Sequence, residues 1–452
     1  MMRSLLIVVL MALWTPSTTL ADGVLRLGVF DIDASPPIGS PLAYGITEGV
    51  ETPLSCRGIV LAGAGDPIVL CSVDWIGIAN GGQSEFREGL ARAVRTTPQR
   101  VAVHTIHQHD APTCDFAADA MLAEYGLSGT AFNTKHARDV IRRAGDAVAA
   151  ALEHATPVTH VGMGAGSVEK VASNRRILGP DGTVLHTRWT ATADPKIRAF
   201  PVGTIDPELK LISFWNDAEP VAALTYYATH PQSYYRTGLA NPDFPGIARN
   251  ARQEATGVPH IHFTGAAGNV GAGKWNDGAK ENRQVLADRV AAGMKRAWQS
   301  TKKTPLRPED VRWSFVSVSL PVSPHLDEAS LKSTLENEEA DVARRWQAAK
   351  ALVWYHRCRN GDTIDVSCLT LAKARILHMP GELFVEYSLA ARSLRNDLFV
   401  VMAAYGDYAP GYIGTAESYA QGGYEVGPHA SRTAPTAEDV LMDSVGRLLD
   451  VK

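Results

Sequence analysis

The sequence predicts an α/β protein, a layered α/β/α sandwich of mixed sheets flanked by helices. Three observations lead there. Short apolar runs bounded by Gly, Pro and Asp recur. Amphipathic segments of helical period lie between them. The two kinds alternate from one end of the chain to the other. Residues 58–63 (Gly-Ile-Val-Leu-Ala-Gly) and 68–74 (Ile-Val-Leu-Cys-Ser-Val-Asp) read as buried strands. An amphipathic helix follows over 84–96, with Ser84 as its cap. Residues 101–104 (Val-Ala-Val-His) form a further strand. From 136 to 154, apolar residues fall at 137, 140, 141, 144, 148, 151 and 152, which is a helical period. Strands are expected at 158–164, 210–215 and 220–229, a helix at 282–299, and an alternating strand at 311–321. A charged helix spans 326–352. Strand 371–378, helix 382–394, strand 398–404 and helix 437–449 complete the chain. No internal repeat or low-complexity linker is visible, so residues 22–452 read as one large domain.

Length alone, 452 residues, would allow about three domains. An apolar fraction of 45% supplies ample core. Formal net charge is −4, from 44 basic and 48 acidic side chains, and no basic patch stands out. Nucleic acid is therefore not expected as a partner. Residues 1–21 read as a signal peptide: a basic start at Met1-Met2-Arg3, an apolar run from Leu5 to Trp14, and Thr19-Leu20-Ala21 before Asp22. That run is shorter than the roughly 20 residues that span a bilayer. An exported protein, periplasmic or secreted, is expected. Export permits disulfides. Cys358 and Cys368 bracket a polar loop and are the first candidate pair. Cys56 and Cys71 flank two strands that could form a hairpin, which leaves Cys114 over. No CxxC occurs, so a zinc ribbon is excluded.

Four stretches carry candidate chemistry. His104-Thr-Ile-His107-Gln-His109-Asp-Ala-Pro112 holds three of the chain's 14 histidines. In extended chain, positions i and i+2 face one side, so His107 and His109 point together and His104 away. Two imidazoles on one face suit a metal ligand beside an acid/base group. Thr229-His230-Pro231 ends a long strand, where open α/β sheets place their ligands, although a lone His–Pro fits a core histidine equally well. Met379-Pro-Gly-Glu382 puts a carboxylate at a helix start; this is either a favourable dipole contact or the third member of a His/His/Glu zinc shell. Finally, five tyrosines lie between 405 and 424 in a glycine-rich loop, where they form an amphipathic lining or donate to an oxyanion.

In this order the blocks resemble the neutral ceramidases, zinc amidases that split ceramide into sphingosine and a fatty acid. Ile106-His107-Gln-His109-Asp-Ala-Pro112 resembles their His-x-His-Ser-Gly-Pro block, and Met379-Pro-Gly-Glu382 their Pro-Gly-Glu-Phe block. The run from Tyr412-Ile-Gly-Thr through Tyr419 to Tyr424-Glu425 is similar to their tyrosine block in internal spacing, and Ser173-Asn174-Arg175 to their Asn-Arg-Ser block. Gly28, Asp31 and Asp74 sit where that family has its opening strands. The resemblance covers most of residues 25–430. It implies His107, His230, Glu382 and Tyr412 as ligands of Zn2+, His109 as general acid/base, Tyr424 as oxyanion donor and Arg175 as the residue placing the acyl side of the substrate. Zinc lowers the pKa of bound water toward about 7, which suits hydrolysis at neutral pH. A small-molecule or lipid substrate and a transient contact with a membrane surface follow from the same resemblance.

Two departures bear on the substrate. Gly271, in Gly268-Asn-Val-Gly271-Ala-Gly273-Lys274, stands where the family carries a serine, so a nucleophilic serine at this position is excluded and a zinc route survives. The chain ends soon after the tyrosine block, so the family's C-terminal β-sandwich domain is expected to be absent. A zinc hydrolase or lyase acting on a more polar ester, N-acyl sugar or glycan is the alternative, as is a non-catalytic binding protein.

Overall fold

Strands Ser55–Ala62 and Ile68–Val73 are buried at every residue, which requires protein on both faces of their sheet. The computed structural model describes residues 23–451; the expected signal peptide at 1–21 lies outside them. Three mixed sheets carry the fold. The first runs Thr156–Pro157, Arg26–Asp33, Ser55–Ala62, Ile68–Val73, Val101–Thr105. The second runs His260–Thr264, Glu219–Tyr227, Glu208–Asn216, His160–Ser167, Lys302–Pro305, and the third Val311–Val318, Ile364–Leu371, Ala374–His378, Phe399–Ala403. The expected mixed sheets flanked by helices are present, arranged as three sheets whose inner faces share one apolar centre containing Leu70, Phe214, Phe263 and Ile376. Helices cover the outer faces.

The same unit occurs three times. A strand pairs antiparallel with the first arm of a hairpin, a βαβ crossover adds a parallel strand beyond the second arm, and another helix returns onto the first strands. In the first unit the crossover helix is Asn80–Ala93 and the returning helix Thr134–Glu153; the second has Asp243–Thr256 and Glu281–Gln299, the third Val385–Leu394 and Ala437–Leu448. This corrects the reading that the chain holds no repeat. The units share burial and connectivity rather than residues, and a search for self-similarity sees only residues.

The three crossover strands meet at their carboxyl ends. Thr105 N donates to Tyr405 O at 3.0 Å and Ala404 N to Thr264 O at 3.0 Å. The Thr264 hydroxyl donates to Ile106 O at 2.8 Å. Just beyond, each unit has one short parallel pairing: Gly77–Ile78 with Thr113–Cys114, His230 with Gly271, and Glu382–Leu383 with Tyr412–Ile413. His230 and Glu382 thus hold equivalent places, as do Gly271 and Tyr412. Ligand sites of open α/β sheets lie outside the strands' carboxyl ends, and here three such ends point at one spot.

Several boundaries differ from expectation. The helix expected at 84–96 is Asn80–Ala93, with Ala79 and not Ser84 at its cap. Gly81 and Gly82 are inside it because their missing side chains admit the chain at 114–117: a Cβ on Gly82 would meet Cys114 O at 2.7 Å. The charged helix at 326–352 is two, Glu328–Glu336 and Val342–Asn360, broken where the Asp341 side chain caps the second. The strand expected at 371–378 is Ala374–His378, the second arm of a hairpin whose first arm is Ile364–Leu371. Glu382 belongs to a short strand, and its helix begins at Val385. Asp243–Thr256 and His260–Thr264 escaped the sequence reading altogether.

All five cysteines are free thiols. Cys56 and Cys71 lie on paired strands with Sγ atoms 3.5 Å apart, but Cys71 opposes Gly58 and Cys56 opposes Val73, which makes them diagonal neighbours. The Cys358–Cys368 pair is not formed: Cys368 is buried in mid-sheet between Ser314 and Leu377.

Candidate metal centre and catalytic site

His107 stands two residues past strand Val101–Thr105 with φ +68°, a left-handed conformation uncommon outside glycine. Its backbone N–H is held by Trp75 O at 3.1 Å. The i/i+2 argument for an extended chain therefore fails at His107 itself, yet the His107 and His109 rings do meet, 5.0 Å apart and edge to face. His104 points away. Its Nδ1 donates to Ala404 O at 2.7 Å and its Nε2 meets His378 Nδ1 at 3.0 Å, outside the centre.

Carbonyl partners fix the histidine tautomers. His107 Nδ1 donates to Ile76 O at 2.6 Å, so its Nε2 carries a lone pair. His109 Nδ1 donates to Pro231 O at 3.1 Å, so its Nε2 accepts. His230 Nε2 lies 3.3 Å away; with its proton there it donates to His109 Nε2 and keeps a lone pair on Nδ1. Glu382 Oε2 lies 3.2 Å from His107 Nε2 and 3.8 Å from His230 Nδ1. Its other oxygen accepts from the Tyr408 hydroxyl at 2.6 Å.

Buried His230 Nδ1 and Glu382 Oε2 have no hydrogen-bond partner. Buried polar atoms are nearly always satisfied, and two lone pairs facing a carboxylate repel unless a cation lies between them. The edge of a tetrahedron with zinc bonds of about 2.0–2.1 Å is about 3.3 Å, close to the donor separations here. His107, His109 and His230 also bring ring nitrogens within 4.8 Å of one another, so this trio could hold a metal ion. The donor set fits a divalent cation.

Electrostatics suit that use. Burial, then the neighbouring His107, holds His109 and His230 well below the ordinary histidine range, so both are neutral. Burial alone would push the Glu382 carboxyl up. His107, when a proton occupies its Nε2, the Tyr408 hydrogen bond and Arg175 outweigh it and hold the carboxyl below its ordinary range; a metal cation would take the place of that proton.

Tyr412 is directly opposite Glu382 in their short pairing, and its ring is parallel to that of His230, centroids 6.4 Å apart. The Tyr412 hydroxyl accepts from Arg175 Nη1 at 3.1 Å. Arg175 is only 2% exposed, bonded also to Gly268 O and set beside Glu425. It reaches the site through Tyr412 rather than through open space. Tyr424 is half-exposed at the rim, edge-on to Tyr412 and Trp189. His109 lies under the ring of Tyr44, stacked at 5.7 Å.

Gly271 pairs with Ser173 and bridges to His230. A Cβ there would meet Thr190 Oγ1 at 3.2 Å. A hydroxyl therefore stands beside this position, delivered by Thr190 and oriented by Gln232 Oε1 at 2.8 Å. A cavity of about 450 Å³ opens beside the centre, bounded by Glu382, Tyr408, Tyr412, Tyr424, Tyr44, Trp346, Lys350 and Arg432. The sequence reading missed Tyr44, Trp346, Lys350 and Arg432. No local pattern marks them, because they join the site only through folding.

Against known proteins, no family model and no curated protein matches the sequence. Solved structures do match. A structure described as ceramidase complexed with C2 aligns with TM-score 0.65 and 18% identity over 95% of this chain and 76% of its own. The fold is that of a neutral ceramidase. The neutral ceramidase from Pseudomonas aeruginosa gives the same TM-score and identity, over 95% of this chain and 74% of the ceramidase. The neutral-ceramidase likeness read from short sequence blocks is thus borne out in the fold. No described helix is long and apolar enough to cross a membrane.

Proposed function

We propose that the protein is an exported zinc-dependent hydrolase that cleaves an amide bond, of ceramide or another N-acyl compound. The two orphaned buried donors, His230 Nδ1 and Glu382 Oε2, facing His107 Nε2, carry this reading. The likeness to ceramidases suggests the bond type. Zn2+ held by His107, His230, Glu382 and Tyr412 would supply Lewis acidity and an ionised water at neutral pH.

The chain's own groups do the rest. Burial pushes the Tyr412 hydroxyl well above the ordinary tyrosine range; Arg175, 3.1 Å from its oxygen, works against that and favours the phenolate that a cation would bind. Tyr424 brings an O–H to the rim, where a carbonyl oxygen gains charge. His109, neutral and held at Nδ1 by Pro231 O, would exchange its His230 contact at Nε2 for a proton of the reacting water and return that proton to the leaving amine. A second reading, a more polar substrate, is favoured by the cations in the cavity wall.

Elemental analysis of purified protein is expected to show about one zinc per chain. The metal-replete enzyme is expected to release fatty acid from a short-chain fluorescent ceramide or to hydrolyse a member of a polar amide panel. Absence of zinc together with silence across the panel would end the proposal. His109→Ala separates ligand from acid/base group. The variant should keep its zinc and lose about 10²–10⁴-fold in kcat. Loss of the metal would instead make His109 a ligand.

A further inference from the structure

Lys350 and Arg432 both line the cavity beside the metal centre and are only 9% and 8% exposed. Lys350 comes from helix Val342–Asn360, and its ammonium has no hydrogen-bond or ion-pair partner among the described residues. It lies 5.5 Å from the centroid of the Trp346 ring. Arg432 spends two contacts on Ala409 O at 3.0 Å and Gln347 Oε1 at 3.3 Å, both neutral. No described carboxylate lies within ion-pairing distance of either cation. The two acids whose charge reaches them are committed elsewhere. Asp115 accepts from Asn80 Nδ2 at 2.6 Å and from Ala118 N at 3.1 Å. Glu382 faces His107 and Tyr408. Buried charges are normally paired; two basic side chains on one cavity wall with no carboxylate in ion-pairing distance leave room for an anion from outside. Arg236 and His429 stand at the mouth of the same cavity.

We propose that Lys350 and Arg432 form an anion-binding subsite, and that the substrate is an N-acyl compound carrying a carboxylate, sulfate or phosphate which this subsite holds. The inference rests on the hydrolase reading above and narrows it: a two-chain neutral lipid leaves the pair unmatched. Burial, then Arg432, pushes the Lys350 ammonium down to about 7. A bound anion reverses that pressure.

Matched substrates test it. Hexanoylglycine against hexanoylglycinamide puts the charge on the amine side; succinic acid monoanilide against butyranilide puts it on the acyl side. With metal-replete enzyme, the anionic member of one pair is expected to have the higher kcat/KM, by about 30-fold, the scale of one charged hydrogen bond. The difference should reside mainly in KM. In Lys350→Met the ratio falls toward one, and in Lys350→Arg it is retained. Inorganic sulfate should raise the melting temperature of the wild type and of Lys350→Arg but not of Lys350→Met. Turnover of both pairs without preference overturns the subsite and leaves the hydrolase reading standing. Sulfate stabilisation that depends on Lys350, in a protein that holds no zinc and turns over neither these pairs nor the ceramide and amide panel, supports the subsite and removes the hydrolase reading.

Discussion

His107→Ala is expected to remain folded and to lose its metal. The side chain supplies the Nε2 that faces Glu382 Oε2 at 3.2 Å, and its ring is positioned by one carbonyl, Ile76 O. Without it, Glu382 Oε2 and His230 Nδ1 are left 3.8 Å apart with an open side. Zinc retained after dialysis should fall well below one per chain. The ionised water at neutral pH goes with the metal, so kcat/KM should drop by at least about 10³-fold. Alanine inherits φ +68° at this position, and such strain costs of order 1–3 kcal/mol. Circular dichroism and a thermal melt therefore accompany the metal assay. His107→Asn, which tolerates that conformation better, should behave alike. Full zinc occupancy in either folded variant would remove His107 from the ligand set.

Asp74→Ala is expected to be the most damaging change to stability away from the site. Asp74 and Arg249 are both fully buried and joined by two bonds, Nη1 to Oδ1 at 2.6 Å and Nη2 to Oδ2 at 2.9 Å. Oδ2 also accepts from Ser55 N and Oγ at 2.8 and 2.7 Å. Removing one partner strands the other charge in the interior, at a cost of about 3–5 kcal/mol. Urea unfolding should show a midpoint shift of that size; a change below about 1 kcal/mol would show that Arg249 finds another partner. Burial alone would raise the Asp74 carboxyl. Arg249, Arg57 and Ser55 outweigh it and hold the group below the usual carboxylate range. The folded value thus lies under the unfolded one, near 3.9. The contribution is complete above the unfolded value and is lost as pH falls through the folded one. Wild type should therefore show an acid limb in stability that Asp74→Ala lacks.

How much of this was legible depends on what each feature needs. Helix Thr134–Glu153 was readable because its period is local: seven buried positions recur along one face. Glu382 was readable as a candidate ligand but not as a strand residue, because its pairing with Tyr412 crosses 30 positions of chain. Helix Asp243–Thr256 hid behind Pro242 and Pro245 at its start, where proline is tolerated but reads as a breaker. The Cys56–Cys71 hairpin was foreseen, but the bond it suggested is not formed: the two thiols sit two positions apart in register, and which residues oppose each other is decided by how the strands pair.

The sequence by itself determined the alternation of elements and the candidate ligands, because period, turn residues and motif order are properties of neighbours in the chain. Only the tertiary structure decided that three equivalent crossover strands end at one point. It alone set His230 beside Gly271 and Glu382 beside Tyr412, and left Lys350 and Arg432 without a counterion in the wall. Those are relations between residues far apart in the chain, fixed by which sheet faces share a core. No single stretch of sequence records them.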